Sequence, residues 1–242
     1  MQARPGRRWL LGPALCLVLA GLVPPARAQV CALQRPPPPV PALEVAGLRL
    51  QRVAQDELQL LDAGTQQVLR RWPLRDRLGR AAEAGAELQL MQAPERRSVL
   101  AVIAGLHEIW EISHDPAAEP LFDGLVHDYR MGEGLASPGY LGLRRVPLDQ
   151  TLGRALLVPG RPWLLAQQGA DVVLVHLDVR RLIARVPQAA LASLRVGRGC
   201  GSDEAPLLLL RSTDSAQGLL ALDSRGWRLV APPPEAQAAM RE

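Results

Sequence analysis

ADVVLVHLDVRRLIARVPQ, residues 170–188, is the stretch whose reading decides the fold. It holds an apolar run that ends at Asp178, a short polar turn, and a second run rich in Val, Leu and Ile. The same outline returns as DELQLLDAGTQQVLRRWPL at 56–74, with Asp62, and as GLLALDSRGWRLVAPPP at 218–234, with Asp223. LHEIWEISHDPAAEP at 106–120, with Asp115, makes a fourth copy. An aspartate at a strand end has a physical job. Its side chain accepts a hydrogen bond from a backbone N–H two residues on and fixes the turn.

Working outward, short apolar runs of strand length fall into four groups. They lie at 43–50, 57–61 and 67–72; at 87–91, 99–104 and 108–112; at 162–167, 172–177 and 182–186; and at 206–211, 218–222 and 227–230. The four aspartates are separated by 53, 63 and 45 residues, near the roughly 40–50 residues of a β-propeller blade. The fold expected is all-β: a small or incomplete β-propeller of about four blades, closed, open as a half-ring, or degenerate. A β-sandwich of similar strand count is the alternative. RAAEAGAEL at 80–88 is expected as one short helix, and 119–157, rich in Gly and charge, as a long excursion between blades.

The start of the chain reads as a leader. Arg4, Arg7 and Arg8 precede an apolar run shorter than a membrane span, and Ala26-Arg27-Ala28 has the A-x-A form of a cleavage site. The expected layout is a signal peptide at 1–28, a Pro-rich linker at 29–42, a propeller-like domain at 43–231 and a C-terminal tail at 232–242. Pro36 to Pro39 reads as an extended polyproline spacer. The formal net charge of +4 includes Arg4, Arg7, Arg8 and Arg27. Without the leader the chain is close to neutral, so its basic balance is no argument for nucleic acid, and no membrane contact is expected after cleavage. The expected location is periplasmic.

Two cysteines remain after the leader, Cys31 and Cys200. They form one disulfide closing a long loop, worth roughly 4–5 kcal/mol in the chain-entropy model, or stay as two thiols; the sequence leaves both open. No C-x-x-C-H, H-E-x-x-H, G-x-S-x-G or Gly-rich phosphate loop is present. This speaks against c-type haem attachment, zinc proteolysis, esterase chemistry and nucleotide hydrolysis.

Chemically capable side chains gather at 101–131, which holds His107, His114, His127, Tyr129 and Phe122. His107 opens a strand, where an imidazole can serve as ligand or acid/base. His127-Asp128-Tyr129-Arg130 is a dense polar patch in which Asp128 can orient His127 and Arg130 can grip a carboxylate. His114 reads as turn chemistry and His176 as a core histidine.

RSVLAVIAGLHEIWEISHDPAAEPLFDGLVHDYRMGEG, residues 97–134, resembles the cytochrome d1-type propellers, bacterial exported proteins related to the haem-d1 domain of cytochrome cd1 nitrite reductase and to YVTN-repeat proteins. The strand–Asp–turn–strand unit at 171–187 is similar to theirs as well. The resemblance implies a haem-d1-type tetrapyrrole, with His107 as proximal iron ligand and His127, Arg130 and Arg144 around it, the arginines pairing with its carboxylates. The two distal histidines of the nitrite reductases have no counterpart at 155–159 or 192–199, and the family's propellers are longer. The function expected is therefore an exported protein that binds without reducing nitrite. The alternative is a cofactor-free periplasmic scaffold for a protein partner. An unclosed blade edge would also invite a second copy.

Overall fold

The computed structural model describes residues 30–53, 56–121, 137–199, 206–214 and 218–239. The segment 1–28 expected as a leader, His127, Arg130 and Cys200 lie outside them, and so does any Cys31–Cys200 pairing.

After a first strand, β1 (Val30–Gln34), the chain makes four consecutive antiparallel meanders. The first is β2 (Ala42–Val45), β3 (Leu48–Arg52), β4 (Glu57–Asp62) and β5 (Val68–Pro73). The second is β6 (Leu88–Ala93), β7 (Ser98–Ile103), β8 (Glu108–Ser113) and β9 (Leu143–Pro147). The third is β10 (Ala155–Leu157), β11 (Trp163–Gln168), β12 (Asp171–His176) and β13 (Arg181–Val186). The fourth is β14 (Ala189–Gly199), β15 (Leu207–Ser212), β16 (Leu219–Asp223) and β17 (Arg228–Val230), with β1 paired to β14 as a fifth strand. The first strands adjoin one another, β2 to β6 and β6 to β10, so each blade runs from an inner to an outer strand. The molecule is an all-β, four-bladed, incomplete β-propeller.

Strand alternation builds the core between blades rather than within one. Leu58, Leu60 and Leu50 of the first blade meet Trp110, Val99 and Ala101 of the second. Ile109, Leu100 and Val102, on the other face of the second blade, meet Leu164, Val173 and Val175 of the third. Leu165, Val172 and Leu174 meet Leu194, Leu208 and Leu210 of the fourth. Each fully buried side chain of this kind is worth about 1.5–3 kcal/mol. No such cluster joins the fourth blade to the first among the described residues, so the arc is open. The far face of the fourth blade, with Leu207, Leu209 and Ala221, is covered instead by Leu33 of β1 and by Ala236 of a terminal helix, α1 (Pro234–Ala239). That cover works like the capping unit of a repeat protein.

The segment at 29–42, expected as a spacer, holds β1 at one end. At the other, Val40 exchanges backbone hydrogen bonds of 3.0 and 2.8 Å with Leu90 of β6. The prolines therefore cross from the inner edge of the fourth blade to the inner strand of the second.

Several expectations change. The run at 43–50 is a hairpin, because Ala46 and Gly47 take φ of 51° and 75° and reverse the chain. Residues 80–87 are not helical; a turn at Gly85 (φ 78°) interrupts them, and 88 already belongs to β6. The excursion at 119–157 contains β9 and β10. The repeat also shifts register. At the turn between third and fourth strands, the side chain that accepts the amide two residues on is Asp62 (3.0 Å), Ser113 (3.1 Å), His176 (3.3 Å) and Asp223 (3.0 Å). All four turns close through a non-glycine residue at positive φ: Gln66, Leu141, Arg180 and Trp227. Asp115 and Asp178 thus sit two residues past the repeated position. Ser and His accept the same bond as Asp, so the repeat is one of geometry and not of residue type.

Candidate functional site

The turn-capping role at 176 is filled by the imidazole, which leaves the Asp178 carboxylate for another use. It accepts a hydrogen bond from Arg96, across the junction between the second and third blades. Arg96 lies in the turn after β6, held by a short 3₁₀ segment, Pro94–Arg96, and by Arg97 in the left-handed region (φ 45°). Its guanidinium also grips Glu111 of β8 with two bonds, Nε to Oε1 at 2.7 Å and Nη2 to Oε2 at 3.1 Å. The Ser98 hydroxyl donates to the same Oε1 at 2.9 Å. Glu111 is buried, at 5% exposure. Burial opposes the charge on Arg96, but the bonds it donates to the Glu111 and Asp178 carboxylates outweigh this and hold the guanidinium more firmly protonated than usual.

Arg144 of β9 stands opposite Glu111, its Nη1 3.7 Å from Oε2. Its Nε is buried and has no hydrogen-bond partner among the described residues. Glu111, Arg96 and Arg144 line a groove of about 340 Å³, with Ser113, Asp115 and Glu119 along it. One wall depends on two glycines. A Cβ at Gly139 would fall 2.0 Å from the Glu119 carbonyl, and one at Gly142 would fall 2.1 Å from the Pro138 carbonyl. Asp115 closes the rim: the Ala117 amide and then Arg97 hold its carboxyl below the ordinary value. The arrangement can orient a bound group by charge and hydrogen bonding. Among the described residues, no set of three or more His, Cys, Asp and Glu is placed to hold a metal.

His107 is elsewhere. It lies in the turn before β8, whereas the groove is at the end of β8, about 13 Å away along the strand at ~3.3 Å per residue. Its Nδ1 is 3.2 Å from the Asp149 carbonyl. A carbonyl only accepts, so Nδ1 is the donor in this contact, and Nε2 is the ring nitrogen left without this partner. The four residues expected around a tetrapyrrole are thus not gathered in the described structure. Arg144 is in the groove, His107 is at the opposite end of β8, and His127 and Arg130 lie outside the described residues. Sequence reasoning passed over Glu111, Arg96 and Asp178. A signal was present: LRRVP at 143–147 echoes LRRWP at 69–73, which marks both as outer strands and aligns Arg144 with β8.

No protein-family model matches the chain, and no curated protein matches it. Among solved structures, the fold is similar to that of the dihydro-heme d1 dehydrogenase NirN in complex with DHE, with a TM-score of 0.53 and 18% identity over 76% of this chain and 35% of that one. This chain therefore spans about a third of that protein, and at this identity the likeness is one of fold. BamB from Moraxella catarrhalis gives a TM-score of 0.34 and 10% identity over 79% of this chain and 62% of its own. Hsv2 from Kluyvelomyces marxianus gives 0.32 and 9% over 80% and 64%. Among the described residues no helix is long and apolar enough to cross a membrane.

Proposed function

We propose that this chain is an exported binding protein whose propeller arc holds a carboxylate-bearing ligand in the Glu111 groove and does not transform it. The observation that carries this reading is the buried, unpartnered Nε of Arg144 beside a groove. A guanidinium already half engaged by Glu111 still needs an acceptor, and a ligand carboxylate would supply one. The ligand class we assign is a haem-d1-type tetrapyrrole, which carries several carboxylates. The resemblance at 97–134 supports it, as does the fold likeness to a protein whose own ligand is named DHE. Arg144 fits such a group through its free donor. His107 fits as an axial ligand in one respect, since a carbonyl on Nδ1 orients Nε2 outward. Arg130 and His127 belong to the connection between β8 and β9, which begins and ends at the groove. The leader pattern read in the sequence at 1–28 favours export, and the periplasm is the compartment proposed.

A second reading is a cofactor-free scaffold for a periplasmic protein. The observation favouring it is the separation of His107 from Arg144 along β8. A visible spectrum of the protein purified from its source, with a haemin titration of the leaderless protein, separates the two. The tetrapyrrole reading expects a pigmented protein or saturable uptake. Binding should weaken about tenfold in Arg144→Gln, and the band should shift in His107→Ala. A colourless protein that takes up no haemin overturns that reading and leaves the scaffold.

A further inference from the structure

The four outer strands, β5, β9, β13 and β17, contain Arg70, Arg71, Arg144, Arg145, Arg181, Arg185 and Arg228, and no aspartate or glutamate. Charge on exposed edge strands commonly prevents unwanted pairing, but these arginines differ in what they contact. Arg144 and Arg145 turn inward to Glu111 and Glu108. Arg185 pairs with Asp171 at 2.8 Å, and Arg71 lies 3.9 Å from Glu57. Arg181, and Arg180 just before it, are exposed and have no partner among the described residues. They flank a groove of about 410 Å³, with Arg180, Arg181 and Leu182 on one wall and Leu148, Asp149 and Leu152 on the other. Leu182 is 41% exposed and Val179 53%. β13 lines this groove and is the last strand of the third sheet; among the described residues no strand pairs with its outer backbone edge.

We infer that this groove is a docking site for an extended acidic segment of a partner protein, added to β13 as a further strand. A free strand edge supplies backbone hydrogen bonds, and two uncommitted guanidiniums select carboxylates over cations. Exposed leucine takes the alternate, apolar side chains of such a strand. Asp149 is the one acid on the groove, and it sits on the wall opposite the arginines. The blade-one rim carries the same Arg-Arg pair at 70–71 without this use. There Arg70 bonds the Leu69 carbonyl at 3.0 Å and Arg71 faces Glu57. The inference is independent of the ligand in the Glu111 groove.

The test is fluorescence anisotropy of a labelled decapeptide of alternating glutamate and valine against the leaderless chain at physiological salt. Saturable binding is expected, weakened at least tenfold by Arg180→Glu with Arg181→Glu, and changed less than twofold by Arg70→Glu with Arg71→Glu. N-methylation of alternate peptide amides should weaken binding comparably, because it removes the strand hydrogen bonds. If circular dichroism shows the charge-reversed pair to be unfolded, Arg180→Gln with Arg181→Gln replaces it, with at least a threefold loss expected. Equal losses in the two arginine pairs would mean diffuse charge attraction and overturn the proposal. So would indifference to N-methylation, which means a free-anion site, displacement of the peptide by a second copy of the chain, or no saturable binding.

Discussion

Glu108 and Glu111 lie three residues apart on β8, and strand alternation sends them to opposite faces of the second blade. Both are buried, at 2% and 5% exposure, and both face an arginine on β9. Glu108 is sealed. It accepts from the Trp110 indole at 2.6 Å, the Arg77 amide at 3.1 Å and the Arg145 guanidinium. Arg145 in turn stacks over Trp110 at 4.8 Å and donates to the Arg75 carbonyl at 2.8 Å. Glu111 accepts as many bonds, but its outer partner Arg144 stands back at 3.7 Å with a buried donor unspent, beside a groove. The contrast separates a structural ion pair from a candidate site. Burial and charge are common to the two, and only an unfilled valence next to open space distinguishes them.

The comparison breaks most sharply at Glu108. Glu108→Leu should cost about 3–5 kcal/mol, because it leaves Arg145, largely shielded from solvent, without its carboxylate partner. Denaturant unfolding would show it, and adding Arg145→Met should recover much of the loss. Equal recovery from Arg144→Met would mean that the two clusters are not separate. Glu111→Gln should cost less, about 1–3 kcal/mol, since the amide oxygen still accepts from Arg96 or Ser98. Asp178→Ala, which removes an exposed partner of Arg96, should cost about 0.5 kcal/mol. Arg144→Gln should change stability by less than about 0.5 kcal/mol while weakening ligand uptake tenfold. A large stability loss there would make Arg144 structural, like Arg145.

Acid sharpens the same contrast. Asp76, whose neighbour Arg77 donates to Glu108, is buried, which pushes its carboxyl up. Bonds from the Arg80 side chain and from the Arg80 and Leu78 amides outweigh this and hold it below the ordinary value of 3.8. A carboxyl lowered in the folded state contributes stability that is present above its unfolded value and lost as pH falls through the folded one. Stability should therefore fall below about pH 4, and Asp76→Asn should flatten that limb. An unchanged acid limb in Asp76→Asn, followed by tryptophan fluorescence, would count against this assignment.

Much of the fold was legible because blade strands alternate every two residues and each strand pair ends in a similar turn. The strands at 57–61, 99–104, 108–112 and 172–177 are close to β4, β7, β8 and β12. The errors have local causes. Reading the repeat by residue type selected Asp115 and Asp178, whereas turn geometry selects whatever side chain can accept a bond at that place, here Ser113 and His176. The helix expected at 80–88 rested on alanine and glutamate propensity, a weak preference that Gly85 and the start of β6 override. Of the groove residues, Arg144 entered only through the family resemblance, and Glu111, Arg96 and Asp178 carried no signal of their own as its neighbours. Glu111 looked like one more polar residue on an alternating strand.

The sequence by itself determined an all-β repeat chain of four units, because apolar alternation and turn-forming residues are local properties that each segment carries alone. Only the tertiary structure decided that the arc stays open and is capped by β1 and α1. It alone showed that the prolines cross its inner side and that Arg96, Glu111, Asp178 and Arg144 meet. Arg96 and Asp178 are 82 residues apart and belong to neighbouring blades. Their contact follows from how two sheets stack, and no periodicity within either strand encodes it.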